Sequence, residues 1–109
     1  MKGAVAIRQV VGTPITNNAA STTIASATYT QLSASLPESC SAVYVANTTQ
    51  KHIKLAVGDA SSEVDIGLVI PAGEQGVYFP LEIRHGVRLS AKALDADATT
   101  GWLIINFFQ

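Results

Sequence analysis

His52 and His85 are the only imidazoles in this chain, and catalysis would have to begin with them. Each directly follows a basic residue, Lys51 or Arg84, which opposes protonation, and each falls at a strand end or turn; both read as surface histidines. The alternating Asp95, Asp97 and Thr99 of DADATTG open like a calcium loop. Such a loop needs Gly at its sixth position and Glu at its twelfth, where this chain has Thr100 and Asn106. As a hairpin loop the same residues are accounted for, because Asp and Thr bond their own backbone and Gly101 supplies an unusual dihedral. Nothing in the sequence pairs Glu38, Glu63, Glu74 and Glu82 across a cleft as glycoside hydrolysis requires. The lone Cys40 has no disulfide partner and reads as a small buried hydrophobe at the start of a strand. No H-x-H, CxxC, GxSxG, P-loop or GxGxxG occurs. The expectation is a chain without enzymatic activity, metal or cofactor. Trp102, Tyr44 and Tyr78 offer one further chemistry, stacking on a sugar ring, although rings serve cores and interfaces more often.

The elements that would carry these residues are strands. HIKLAV sets Ile53, Leu55 and Val57 against His52 and Lys54, and VDIGLVI aligns Val64, Ile66, Leu68 and Ile70. GVYFPLEI aligns Val77, Phe79, Leu81 and Ile83; GVRLSAKA sets Val87, Leu89, Ala91 and Ala93 against Arg88, Ser90 and Lys92. Pro80 cannot donate a ladder hydrogen bond, so its strand bends there or lies at a sheet edge. Short polar or glycine-bearing turns separate these runs at 47–51, 58–63, 71–76, 84–86 and 95–101. About ten residues per strand is the rhythm of an antiparallel sandwich or barrel. Leu32 and Leu36 allow at most one helical turn before Pro37, among β-branched and Ser/Thr-rich neighbours that oppose it.

The last strand, GWLIINFFQ, departs from simple alternation. Leu103, Ile105 and Phe107 point one way, while Trp102, Ile104 and Phe108 point the other with only Asn106 between them. Leaving one such row in water forfeits about 1.5–3 kcal/mol per large side chain, a sizeable part of a small domain's net stability. The unbroken row is expected in the core and the second row against another layer, either the N-terminal segment or another subunit.

That segment, residues 1–30, differs from the sandwich expected over 31–109. AVAIRQVV can form a strand with Val5, Ile7 and Val11 on one face, but TPITNNAASTTIASATYT is small and polar. It buries too little apolar surface to stand alone. It is expected as a leader or as an extended arm of edge strands, on its own sandwich or a neighbour's, with Ile15, Ile24 and Tyr29 as anchors. Deleting residues 1–20 is expected to abolish binding to a larger lattice and leave a folded sandwich.

At 109 residues the chain suits one core. It is 48% hydrophobic and 14% charged, against about a quarter charged in ordinary domains, so its free surface is small or unusually neutral. The seven cations are scattered and the net charge is −1, which disfavours nucleic acid as partner. No run approaches the roughly 20 apolar residues of a membrane span, and Arg8 and Gln9 interrupt the start too early for a secretory signal. A soluble, cytoplasmically made protein is expected.

The Ala/Ser/Thr-rich start, followed by LPESCSAVYVANTTQKHIKLAVG, IPAGEQGVYFPLEIRHGVRLSAKA and a terminal GWLIINFF, resembles the small structural proteins of tailed bacteriophage virions: decoration or cement proteins and related head or tail accessory subunits. The resemblance covers residues 36–109 in the order and style of the elements. It implies an all-β antiparallel sandwich, often a jelly roll, that binds a capsid or accessory lattice as a homo-oligomer, and it brings no catalytic residues. Jelly-roll and immunoglobulin-like connections share this strand rhythm, so topology stays open. The expected interface is Trp102, Ile104 and Phe108 with Val5, Ile7 and Ile15; the expected partners are further copies and the major capsid or other virion proteins. The competing expectation is a receptor- or glycan-binding knob.

Overall fold

The computed structural model describes residues 10–33, 39–59, 62–73, 75–84 and 86–109. They form eight strands and, among the described residues, no helix: β1 (Ile15–Asn18), β2 (Thr30–Ser33), β3 (Cys40–Asn47), β4 (Ile53–Asp59), β5 (Ser62–Ile70), β6 (Val77–Ile83), β7 (Arg88–Ala93) and β8 (Trp102–Phe108). Two four-stranded antiparallel sheets, in the orders β1-β8-β3-β6 and β2-β7-β4-β5, make a β-sandwich. Leu32 belongs to β2, and Leu36 lies outside the described residues.

Period-two alternation sets the core. Leu103, Ile105 and Phe107 of β8 are buried, as are Val43 and Val45 of β3, Ile53 and Leu55 of β4, and Leu89, Ala91 and Ala93 of β7. Phe79 and Leu81 pack against this cluster from β6, whose Pro80 lies on a sheet edge opposite Ala42. Cys40 is buried at the start of β3, and burial pushes its thiol pKa up. In β5, Ile66 and Leu68 pack on the core and Ile70 is buried, but Val64 is 62% exposed. The five residues from Asp65 to Val69 oppose only the three from Lys54 to Ala56, a bulge that Gly67 accommodates with φ 73° at the sheet's outer edge.

Residues 10–30 lie along the same sandwich. Val10 bridges Phe108, the Val11 amide donates to the Phe107 carbonyl at 3.0 Å, and β1 pairs with β8 in the register Ile15↔Ile105. Farther on, Ile24 exchanges backbone hydrogen bonds with Ala98 at 3.0 and 2.9 Å, and both residues are fully buried, as is Ala19. Deleting residues 1–20 would therefore remove β1 and the core residues Val11 and Ala19. That truncation does not separate folding from assembly. Val5 and Ile7 lie outside the described residues.

Most connections cross between sheets. Among the links from β3 to β8, only β4–β5 stays within one sheet; the 95–101 loop, expected as a hairpin, carries the chain from β7 in one sheet to β8 in the other. Its Gly101 has φ 78°, and a Cβ there would collide with the Thr48 carbonyl. Beside it Asn47, fully buried, ties the sheets together. Its amide donates to the carbonyls of Lys51, Ile70 and Pro71 at 2.8, 3.2 and 3.2 Å, and its side-chain oxygen accepts from the Thr49 amide and hydroxyl at 3.0 and 2.6 Å.

Candidate functional site: the outer face of the C-terminal strand

The second row of β8 is only partly covered. Trp102 is 45% exposed, and Ile104, Asn106 and Phe108 are half-buried. Strand register supplies their neighbours. Thr16 and Asn18 of β1 stand opposite Ile104 and Trp102; on β3, Ala42, Tyr44 and Ala46 stand opposite Phe108, Asn106 and Ile104; on β6, Tyr78 and Pro80 stand opposite Tyr44 and Ala42. Val10, paired with Phe108, is 56% exposed at one end. Four of the chain's seven aromatic rings thus share one outward face. Within its strands Glu82 is the one charged side chain among the described residues.

The rings are held in place. Those of Tyr78 and Phe108 meet at 6.5 Å, tilted by 48°, a favourable aromatic geometry. Tyr44 lies over Gly76, where a Cβ would strike its hydroxyl and ring. Hydrogen would be the only side chain that fits at this φ of 145°.

The outer face of the other sheet is polar. Lys54 and Lys92 stand directly opposite each other, with their ammonium groups 5.9 and 5.6 Å from the centre of the Tyr29 ring. Asp65 bonds Lys54 at 2.8 Å, accepts from the Tyr29 hydroxyl at 3.2 Å and from the Gly67 amide at 2.7 Å. The Lys54 bond, then the Gly67 amide, lowers the Asp65 pKa. Burial, then the hydrogen bond to Asp65, raises that of Tyr29. On the same face Arg88 donates to the Gln31 side-chain oxygen at 2.8 Å.

Of the expected interface residues, Trp102, Ile104 and Phe108 come together on the aromatic face. Ile15 does not join them: as the partner of Ile105 it turns inward and packs against the core. Ile24 is fully buried in its own sandwich and the Tyr29 ring packs against Lys54 and Lys92, so both rest on their own sandwich, one of the two places expected for them. Trp102, Tyr44 and Tyr78 do share one face. However, Trp102 lies four residues along β8 from the partner of Tyr44, about 13 Å at strand rise, too far for one sugar ring to touch both. Val10 went unrecognised in this role, since its neighbour Val11 is the one that enters the core.

The groups with potential chemistry stay apart. His52 accepts the Ala72 amide on Nδ1 at 3.1 Å, and His85 lies outside the described residues. Asp97 accepts from the Ser26 amide and hydroxyl at 2.8 and 2.9 Å, which lowers its pKa and fastens the 95–101 loop to the segment before β2. Among the described residues no group of three potential metal ligands occurs. Comparisons with family models, curated proteins and solved structures find no match for this chain.

Proposed function

We propose that the chain is a non-enzymatic structural subunit of a tailed-phage virion, of decoration or cement type, which self-associates and stabilises a capsid or accessory lattice. The observation that carries this reading is the outer face of the β1-β8-β3-β6 sheet, where Trp102, Tyr44, Tyr78 and Val10 are each more than two-fifths exposed around Ile104 and Phe108 and Glu82 is the one charged side chain among the described strand residues of that sheet. Contiguous exposed apolar surface of this kind marks an interaction site, and aromatic residues are enriched there. The strand orders β1-β8-β3-β6 and β2-β7-β4-β5 support a jelly-roll description of the sandwich, an architecture common in viral capsid domains. On a repeating lattice, many modest contacts sum through high local concentration.

Ile104→Asp tests the reading, because it places a carboxylate in the middle of the face without touching the core row. A fall in mass by light scattering, with a wild-type far-UV circular dichroism spectrum, is the expected result. An unchanged mass would count against this face.

A receptor- or glycan-binding knob draws support from the exposure of Trp102 at 45% beside Asn18, an aromatic surface next to an amide. Glycan-array binding that disappears in Trp102→Ala would favour it over the lattice reading.

A further inference from the structure

We infer that two copies of this chain pair face to face about a two-fold axis through the centre of the β8–β3 surface, so that the β1-β8-β3-β6 sheets of the two copies stack as the inner layers of a four-layer assembly. This rests on the self-association reading above and adds the partner's orientation and the number of copies.

Three observations support it. The first is what the edges forbid. Extending a sheet into a neighbour needs a long free edge, and among the described residues each edge is blunted: β1 and β2 are four residues long, β6 carries Pro80 in its middle, and β5 is bent by the bulge at Gly67. Association is left to faces. The second is charge. On a two-fold axis, residues near the axis meet their own mates, so the surface must tolerate itself. At the centre of the aromatic face stand Ile104, Asn106, Tyr44 and Ala46, none of them charged, and an amide can both donate to and accept from its own copy. On the opposite face the same operation would bring Lys54 and Lys92 against a second such pair.

The third observation is that the aromatic surface has no counterpart elsewhere among the described residues. A closed ring of three or more copies uses two different, complementary patches. Outside the aromatic face, the exposed large hydrophobics among the described residues are Val64 and Val69, both on β5. Two separated valines on an edge strand do not match a face of four rings. Its own copy does, and a sheet-on-sheet stack at about 10 Å is the packing that sandwich interiors already use.

The test is the mass of the wild-type protein together with cysteine cross-linking. Asn106→Cys places a thiol beside the proposed axis, and Gln31→Cys places one on the exposed polar face; Cys40, buried, serves as the background thiol in both. Twice the monomer mass, with a covalent dimer after mild oxidation of Asn106→Cys and none from Gln31→Cys, is the expected result. A mass of three or more copies, or a dimer in which Asn106→Cys stays unlinked while its melting transition is that of wild type, overturns the two-fold stack and leaves self-association standing. A monomer at every concentration overturns both.

Discussion

The two outer faces of this sandwich hang on one core and obey the same alternation, yet one is polar and the other largely aromatic. On the β2-β7-β4-β5 sheet the outward row answers its own charges. Lys54 and Lys92 stand opposite each other, an arrangement that costs free energy, and Asp65 with the Tyr29 ring offsets it. On the β1-β8-β3-β6 sheet the outward residues are aromatic, small or amide-bearing, with Glu82 the one charge among its described strand residues and with rings half in solvent. Inward rows are dictated by folding and look alike in both sheets. Outward rows are free to vary, so their chemistry reports what touches them. A lysine–carboxylate row is well solvated by water, whereas exposed rings gain by burial, which is what the proposed self-association would supply.

The largest effect should come from the residue that keeps both faces in register. Asn47 ends β3 in the aromatic sheet and bonds the carbonyls of Ile70 and Pro71 at the end of β5 in the polar one. Asn47→Ala leaves the buried Ile70 carbonyl without its amide donor and deprives the Thr49 amide and hydroxyl of the Asn47 oxygen, the hydroxyl keeping as acceptor only the Lys51 carbonyl at 3.3 Å; it should cost about 3 kcal/mol of the roughly 5–15 kcal/mol that holds a domain together. Urea unfolding measures it. A loss below about 1 kcal/mol would mean that the two sheets do not depend on this residue for their alignment.

Matched truncations on the two faces should separate next. Phe108→Ser removes a ring packed against Tyr78, and should weaken self-association by about 2 kcal/mol, roughly thirtyfold, as truncation of a central interface aromatic does. Lys92→Ser on the other face should leave the association constant unchanged. Sedimentation equilibrium on both variants decides; equal effects would remove the distinction between the faces. A smaller change is expected from Gly76→Ala, whose added Cβ displaces the Tyr44 ring without deleting it. Association should weaken about tenfold, with about 1 kcal/mol lost from stability because the positive φ suits only glycine. If Tyr44 lies outside the contact, only the stability loss will appear.

Alternation made the two rows of GWLIINFFQ legible, and with them most of the strands from HIKLAV onward, because a period of two is local information. Partner and layer are not local. The 95–101 loop has the residues of a hairpin turn and instead bridges the sheets, since Asp, Thr and Gly serve both connections equally well. Ile15 was expected at the interface because β1 offers a single large apolar residue in ITNN, too few to say which row faces inward; pairing with Ile105 decides it. Ile24 stands out in the sequence as an anchor, but its full burial and that of Ala19 do not, for a different reason. Their neighbours are small and polar, so composition suggested an arm, while backbone bonds to Ala98 and Gly101 bury both. The aromatic face itself was half visible: Tyr44 and Tyr78 each stand alone in an otherwise small or polar row, and only the register Tyr44↔Tyr78 makes them neighbours.

The smallest effect, and the sharpest contrast between the faces, should come from acid. Asp65 and Asp97 both have pKa values held below the usual carboxylate range, the first by Lys54 and then the Gly67 amide, the second by the Ser26 amide and hydroxyl. A depressed folded pKa contributes stability that is present above the unfolded value, about 3.9, and lost as pH falls through the folded one. Acidification below about pH 4 should therefore loosen the polar face and the 95–101 loop first. The Ser26 and Gly67 amides, which donate to these carboxylates, report it directly: their hydrogen exchange, corrected for intrinsic rates, should accelerate there. Val11 is the control, because its amide donates to the Phe107 backbone carbonyl and not to a carboxylate. Equal acceleration at Val11 would mean that protonation opens the sandwich as a whole, and that the two faces do not respond separately to pH.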